Sequence, residues 1–165
     1  MTPRPPPPPF YLHASLVAVH GQGLLLRGPS GAGKSAALLA LLGRGHRLVA
    51  DDVVEVIDRD GRPWGRAPVA IAGRLEVREV GVVAAAELFG AGAVVPAWAI
   101  DAVVDLLPAL ATPPPRPTAP LAPTFLGGVA LPTYALTAGD SASLADRLEV
   151  IARLVSNRPE GSPYG

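Results

Sequence analysis

Apolar and polar residues alternate over residues 10–19, and this period predicts a first β-strand. Residues 20–23 contain two glycines and predict a turn, after which the apolar run at 24–27 returns as a second strand. We expect these two strands to pair as a hairpin. A continuous apolar segment follows at 36–42 and is closed by Gly43, so a helix is predicted there.

The remaining pattern predicts a mixture of short strands and helices. A hairpin is expected within residues 53–66, around turn residues at 58–61. Further along the chain, residues 84–89 fit a short helix, residues 98–107 a core strand, and residues 126–136 one or two short strands. A last helix begins at residue 140 or 141 and keeps helical apolar spacing to 157, with Ser143 and Asp146 as a capping box.

Proline-rich segments mark the ends and one interruption of this pattern. Residues 1–9 predict an extended, disordered leader, and residues 112–123 predict an exposed loop. Residues 158–165 predict a tail. A chain of 165 residues is most simply one domain, which we place at residues 10–157 and assign to the α/β class.

One stretch between the second strand and the first helix carries a recognisable chemistry. It fits the phosphate-binding pattern G-x-x-x-x-G-K-[ST], in which backbone N–H groups form an anion nest and the following helix points its positive dipole end at the phosphates. The lysine would reach the β- and γ-phosphates and the serine hydroxyl would ligate Mg²⁺. The residues of this candidate nucleotide site are Gly28, Pro29, Ser30, Gly31, Ala32, Gly33, Lys34 and Ser35.

The alternative, a glycine-rich turn without function, is weakened by one feature of the composition. Lys34 is the only lysine in the chain. Wherever else the chain has a strongly basic side chain, that side chain is arginine. A compact ammonium has been kept at a position where a planar guanidinium fits poorly between phosphates.

A pair of adjacent carboxylates, Asp51 and Asp52, ends the next predicted strand. In a phosphate-loop protein one such carboxylate can hold Mg²⁺, directly or through water, and the other can accept a proton from an attacking hydroxyl. A turn at the end of a strand with a helix cap would also use these residue types, so the residues alone leave both interpretations open.

Charge and composition exclude several classes of protein. The formal net charge is zero, which gives no electrostatic case for binding nucleic acid or a membrane surface. The apolar stretch at 80–100 is interrupted by Glu87, Gly90, Gly92 and Pro96, so it does not predict a transmembrane helix. The chain has no cysteine, which excludes disulfides and thiol catalysis and suits a reducing cytoplasm.

The chain resembles the catalytic domain of the HPr kinase/phosphorylase family, in a short form that lacks the separate N-terminal domain. The resemblance covers roughly residues 12 to 95, and the later segments make it specific, because the phosphate loop alone is generic. The matching segments, in order, are HAS at 13–15, the loop at 28–35, RGHRLVADD at 44–52, LEVR at 75–78 and LFGAGAV at 88–94.

This resemblance implies a phosphate-loop α/β fold of the HPr kinase/PEP carboxykinase type, with a mixed central sheet and flanking helices. It implies ATP and Mg²⁺ as cofactors, an HPr-like phosphocarrier protein as the serine-bearing acceptor, and a homo-oligomer, a hexamer in the family. At matching positions His13 is similar to the active-site histidine and Lys34 to the phosphate-binding lysine. Ser35 and Glu76 are similar to the Mg²⁺ ligands, and Asp52, with Asp51 beside it, to the residue that takes the serine proton.

The chain departs from the family before its last helix. The family's arginine-bearing segment, which serves dephosphorylation, has no match, and residues 137–141 occupy that region without an arginine. Arg116 is the nearest candidate for a further catalytic arginine, and Glu79 replaces a usual glycine. A nucleotide-binding sensor without transfer activity, a small-molecule kinase and a purely structural protein therefore remain alternatives to a protein kinase with weak or no phosphorylase activity.

Overall fold

The computed structural model describes residues 7–29, 32–108, 121–137 and 139–157. Three α-helices lie in these residues: α1 (Lys34–Gly43), α2 (Ala85–Phe89) and α3 (Ser141–Ser156). The strands are β1 (Phe10–His13), β2 (Ser15–Val19), β3 (Gln22–Arg27), β4 (Arg47–Ala50), β5 (Val53–Arg59), β6 (Arg62–Arg66), β7 (Arg74–Val77), β8 (Gly81–Ala84), β9 (Ala97–Ala99), β10 (Ala102–Leu107), β11 (Thr124–Leu126), β12 (Val129–Leu131) and β13 (Thr133–Thr137). Two short 3₁₀ helices occupy Val69–Ile71 and Ala91–Ala93.

A five-stranded mixed sheet with the order β13-β10-β3-β2-β4 forms the centre of the fold. β10 runs parallel to both β3 and β13, whereas β2 is antiparallel to both of its neighbours. β3, β4, β10 and β13 therefore share one direction, and their carboxyl ends lie along the same edge of the sheet. β2 begins at that edge because it runs the other way.

Both faces of this sheet are buried, which explains its nearly continuous apolar strands. Alternate residues of β2, β3 and β10, among them Val17, Leu24 and Val104, join α1 and α3 in one core. The residues between them, such as Leu16 and Leu25, face a second core on the other side. The molecule thus has a helix layer and a sheet layer around the central sheet.

The second sheet has the order β1-β5-β6-β9 and is antiparallel throughout. Its residues Val54 and Val56 pack into the second core. Two small hairpins complete the described strands, β7 with β8 and β11 with β12. No helix in the described part of the chain is both long enough and apolar enough to cross a bilayer.

Two predicted strands are each divided in the structure. Residues 10–19 form β1 and β2, which belong to different sheets and meet at Ala14. Residues 98–107 likewise pass from β9 into β10 at residues 100–101. The prediction of single strands was wrong because alternation continues through a corner where the chain passes from one sheet to the other.

The helices lie close to their predicted bounds, but the last helix is capped differently. α1 covers the predicted segment at 36–42, and α3 begins at Ser141. The cap of α3 is Asp140, whose Oδ1 accepts a 2.8 Å hydrogen bond from the Ser143 backbone N–H. The predicted capping box of Ser143 with Asp146 is therefore wrong, since the aspartate just before the helix already serves.

The hairpin predicted to precede the phosphate loop is confirmed as β2 and β3, paired from Ser15 with Leu26 to Val19 with Gln22. The tail at 158–165 lies outside the described residues. Most of the proline-rich leader and most of the loop at 112–123, including Arg116, also lie outside them.

Candidate active site

The predicted site residues come together at the edge where β3 and β4 end and β2 begins. Gly28 follows β3, Asp51 follows β4, and His13 and Ser15 flank the junction of β1 and β2. This placement follows from the sheet order, because β2 lies between β3 and β4. Segments distant in sequence therefore meet at one end of one sheet.

The phosphate loop leads directly from β3 into α1. The Ala32 backbone N–H donates to the Pro29 carbonyl at 3.0 Å, and Gly33 takes a left-handed φ of 97° immediately before the helix. Ser30 and Gly31, both predicted to bind phosphate, lie outside the described residues. The described residues on either side of them, Pro29 and Ala32 with Gly33, have the backbone turn that the phosphate-loop pattern requires.

Gly28 is fixed by close packing. A Cβ atom at this position would lie 2.7 Å from the Leu106 carbonyl oxygen and 3.2 Å from the Ala32 Cβ. Ala32 itself is buried. A side chain at residue 28 would push the loop away from β10, so the first glycine of the pattern is required sterically.

The first turn of α1 is suited to an anion. Gly33 provides no side-chain cap, and the first turn contains no acidic residue. The amino-terminal N–H groups of a helix have no partner within the helix and carry the positive end of its dipole. A phosphate group would satisfy both requirements, so the helix start fits the nucleotide that the pattern predicts.

Lys34 opens α1 and is 8% exposed. Its Nζ donates to the Gly28 carbonyl oxygen, which folds the side chain back over the loop. Among the residues that the structure describes, no carboxylate lies within ion-pair distance of this ammonium. The Lys34 ammonium therefore lies beside the loop with its charge not neutralised by any carboxylate that the structure describes. A bound polyphosphate would need such a cation to balance its own charge.

Asp51 is buried and holds three elements together. Its Oδ1 accepts a 2.9 Å hydrogen bond from the Ser15 hydroxyl, and its Oδ2 accepts a 3.2 Å bond from the Glu76 backbone N–H. The Ser15 Oγ in turn accepts a bond from the Asp52 N–H at 3.1 Å. Both oxygens of Asp51 are thus used within the protein, to fix β2 and β7 against the end of β4.

Asp52 differs from Asp51 in almost every respect. Its side chain is 63% exposed, and its Oδ1 lies 3.5 Å from the Nδ1 of His13. Its φ is 71°, and the Val53 N–H donates to the Asp51 carbonyl at 2.8 Å, which closes a γ-turn around it. Turns of this hand are rare and strained, and such strain persists where the surroundings impose it.

The two predicted Mg²⁺ ligands lie on elements that pack together. Ser35 is half-buried in the first turn of α1, and Glu76 is exposed on β7. Leu75, beside Glu76, is buried in the same core as α1. A hydroxyl and a carboxylate are oxygen ligands of the kind Mg²⁺ prefers, so the donor set fits this ion.

Two features of the site escaped the sequence analysis. The hydroxyl of Ser15 bridges the two aspartates, although the sequence offers only its position next to a strand. Arg27, directly before the loop, forms a bidentate ion pair with Asp105 at 2.7 and 3.1 Å. The parallel register that pairs β3 with β10 brings these two residues together, and a single sequence does not give that register.

Comparison with known proteins identifies the family of this chain. The sequence model of the HPr Serine kinase C-terminal domain family matches residues 8–161. An HPr kinase/phosphorylase of Geobacillus thermodenitrificans is 48% identical over 100 residues, which cover 60% of this chain and 32% of that protein. One of Clostridium tetani is 41% identical over 99 residues, with coverage of 60% and 32%. The chain thus matches about a third of the length of these curated relatives.

A solved structure extends the likeness over nearly the whole chain. The Hpr(Ser) kinase/phosphatase from Coxiella burnetii has a TM-score of 0.79 at 26% sequence identity, covering 88% of this chain and 89% of that one. The predicted fold, a phosphate-loop α/β domain with a mixed central sheet and flanking helices, is thereby confirmed.

Proposed function

Because this chain belongs to the family of HPr serine kinase C-terminal domains, we propose that it transfers the γ-phosphoryl group of ATP to a serine hydroxyl of an HPr-type phosphocarrier protein. The catalytic domain in this proposal spans residues 10–157. The observation that carries the proposal is that the loop leading from β3 into α1, which begins at Lys34, and the pair of His13 and Asp52 lie at the same end of the central sheet.

In this proposal the phosphate loop and α1 bind the nucleotide. The loop N–H groups and the helix start would hold the phosphates, and Lys34 would exchange its bond with the Gly28 carbonyl for the β- and γ-phosphate oxygens. Ser35 and Glu76 would hold Mg²⁺, which when bound neutralises charge on the phosphates. Phosphoryl transfer needs little covalent assistance, so positioning and charge account for most of the catalysis.

Asp52 would accept the proton of the acceptor serine as its oxygen attacks the γ-phosphorus in line. Its exposed carboxylate can reach a protein substrate from solvent, as a buried one cannot. His13, 3.5 Å away, would orient this carboxylate and stabilise the charge around it. Asp51 would act as a positioning residue, since its two oxygens fix Ser15 and Glu76.

The choice of acceptor rests on the relatives, because the proteins that match are named HPr kinase/phosphorylase. We extend that acceptor to this chain and place the reaction in the cytoplasm, where ATP and a phosphocarrier would meet. The family's hexamer is part of the same proposal. A neutral formal net charge gives no reason to add a nucleic acid or a lipid surface to its partners.

A transfer assay tests the proposal directly. Purified protein, Mg²⁺ and γ-labelled ATP are incubated with and without HPr-like proteins of the same cell, and labelled phosphoserine is identified by mass spectrometry. We expect label on one serine of the acceptor. Nucleotide binding without transfer would indicate a sensor, transfer only to a metabolite would indicate a small-molecule kinase, and failure to bind nucleotide would overturn the proposal entirely.

A further inference from the structure

A second cluster of ionisable side chains lies at the opposite edge of the central sheet from Asp52. His20 lies in the turn between β2 and β3, His46 directly precedes β4, and Glu149 lies on α3. His46 lies five residues before Asp51, with β4 between them, and this corresponds to about 16 Å at roughly 3.3 Å per residue. The proposed kinase mechanism uses none of these three side chains.

The three side chains converge on one point. The Nε2 of His46 lies 2.8 Å from Oε2 of Glu149, and the Nε2 of His20 lies 3.4 Å from the same oxygen. The imidazole rings meet edge to face, with centroids 4.7 Å apart. Within the described ranges this is the one group of three potential ligands whose atoms all lie within 4.8 Å of one another.

The fold holds each of the three in place. His20 has a φ of 49° and Gly21 a φ of 80°, the conformation of a tight two-residue hairpin turn that places His20 in the left-handed region. His46 is 8% exposed. The second oxygen of Glu149, Oε1, accepts from Arg44, which also contacts Asp146. One oxygen of Glu149 is therefore anchored, and the other faces the two rings.

A cavity of about 380 Å³ adjoins the two histidines of the cluster. Both histidines line it, together with Arg47 and Trp98. The indole N–H of Trp98 donates to the Gly21 carbonyl at 3.0 Å, so the same residue that lines the cavity also holds the turn carrying His20. A ligand at the cluster would thus have one open side, next to a cationic side chain.

We propose that His20, His46 and Glu149 bind a zinc ion through the two Nε2 atoms and Oε2, with water or a small anion from the cavity as the fourth ligand. Two imidazoles and one carboxylate form a common three-residue zinc set with an open position. Tetrahedral ligands at 2.0–2.1 Å from the metal lie about 3.3 Å apart. The contact of His20 already has this length, and that of His46 must open by about 0.5 Å.

The charges around the cluster are compatible with a cation. Glu149 and Asp146 provide two negative charges, against the one positive charge of Arg44 that both contact. Arg47 is a further cation nearby, and it lines the cavity from which the fourth ligand would come. The alternative is a hydrogen-bonded group of two histidines and a carboxylate that simply ties α3 to the sheet, and the experiment separates the two.

Calorimetric titration of the metal-free 165-residue chain with zinc chloride, in millimolar Mg²⁺ to saturate the kinase site, is the first test. We expect one zinc ion per chain. Glu149→Gln and His20→Ala should each weaken its binding at least roughly tenfold. Asp146→Asn is the matched control, because it also removes an acid of α3 that contacts Arg44 but leaves the ligand atoms intact. Its zinc affinity should fall by about threefold at most, the scale of one exposed charge, and so much less than in the two ligand variants.

Histidine ring NMR on the unaltered protein gives an answer that does not depend on any variant folding. The chain has three histidines, so each ring can be followed separately. Zinc should shift the Nε2 resonances of His20 and His46 and leave those of His13 unchanged. Shifts confined to His13, or no binding at millimolar zinc, would overturn the proposal and leave the cluster as an ion-paired brace.

Discussion

At the scale of single residues, Lys34 and Asp52 have opposite surroundings that suit their proposed roles. Lys34 is nearly buried with its ammonium on a carbonyl oxygen, whereas the Asp52 side chain is 63% exposed. A buried cation without a carboxylate partner is costly unless an anion arrives. An exposed base can meet a serine presented by another protein. Each residue therefore yields a separate prediction.

Replacing Lys34 with alanine should abolish nucleotide binding or transfer, because it removes the ammonium that the loop aims at the phosphates. Lys34→Arg should also be strongly impaired, since a planar guanidinium fits poorly between phosphates. Binding of a fluorescent ATP analogue and the labelled-transfer assay measure both steps. Turnover near that of the unaltered protein in either variant would contradict the phosphate-loop assignment.

Asp52→Asn should leave nucleotide affinity within a few-fold but lower transfer by roughly 10²-fold or more, the usual scale for a lost general base. Glu76→Gln should instead raise the Mg²⁺ concentration needed for half-maximal activity. Asp60→Asn, in the exposed turn between β5 and β6, is the matched control and should behave like the unaltered protein. If Asp52→Asn acts mainly on Mg²⁺ affinity, the two roles have been assigned the wrong way round.

At the scale of elements, the contact between the two sheets depends on glycines that leave no room for a side chain. A Cβ on Gly23 would lie 1.8 Å from the Ala99 carbonyl oxygen. The Gly23 N–H also donates to Asp101 Oδ2 at 2.8 Å, and its carbonyl accepts from the Asp101 N–H at the same distance. β3 and the start of β10 are thereby locked at the corner where the chain changes sheets.

Gly23→Ala should lower the free energy of unfolding by at least about 2 kcal/mol, because the backbone of β9 must move to admit the methyl group. Gly92→Ala is the control, since no heavy atom lies within 4 Å of a Cβ built there. Its effect should stay within about 0.5 kcal/mol. Denaturant unfolding of the two variants measures the difference, and equal stabilities would show that the corner is not close-packed in solution.

The cross-strand pair of Glu55 on β5 and Arg66 on β6 predicts a pH dependence. Two hydrogen bonds from Arg66, at 2.9 and 3.1 Å, hold the pKa of Glu55 below its usual 4.5. A lowered pKa in the folded state stabilises the protein above the pKa of the unfolded chain, and this contribution is lost as pH falls through the folded value.

Glu55→Gln should therefore lower the melting temperature by roughly 1–3 °C at pH 7, since the Arg66 side chain is 44% exposed and solvent screens the pair from that side. The difference should vanish once the pH is well below the folded pKa. Melting curves of both proteins from pH 7 to pH 3 provide the measurement, and high salt at pH 7 should also reduce the difference. A gap that grows on acidification would contradict the sign derived from Arg66.

At this scale, a feature could be predicted from the sequence when the residues that form it are close together in the chain. The phosphate loop, α1 and the hairpin of β2 with β3 are written in neighbouring residues, and all three were predicted. The corner at Ala14 could not be, because alternation runs straight through it. The bridge from Asp51 to Ser15 and the pair of Arg27 with Asp105 join residues 36 and 78 positions apart, and nothing local marks them.

At the scale of the whole molecule, the supply of positive charge near the site predicts which direction of the proposed reaction is faster. Phosphorolysis must hold an inorganic phosphate beside a phosphoserine, and two anions in one site require additional cations. Two of the arginines that the structure describes nearby are already engaged. Arg27 is paired with Asp105, and Arg147 donates to the carbonyls of Thr137 and Ser143 at 3.0 and 3.3 Å.

The segment before α3 adds no cation either, since its Asp140 serves as the helix cap. We therefore expect ATP-driven phosphorylation to be faster than phosphorolysis. The comparison is between label transfer to HPr and pyrophosphate release from phosphoserine-HPr at millimolar phosphate, with one preparation of protein. Similar rates in the two directions would mean that the missing arginines are dispensable, or that they are replaced by Arg78 or by Arg116, of which the second lies outside the described residues.

The parallel pairing of β3 with β10 also constrains how the protein comes to be folded. The register joins Leu24 to Ala102, so the strand that leads into the phosphate loop waits for a partner 78 residues later in synthesis. Until that partner emerges from the ribosome, β3 has β2 on one side and an open hydrogen-bonding edge on the other. Such long-range parallel contacts form slowly, and open edges recruit other chains. The phosphate loop is therefore among the first segments to be synthesised, but the sheet that supports it is among the last parts of the fold to form.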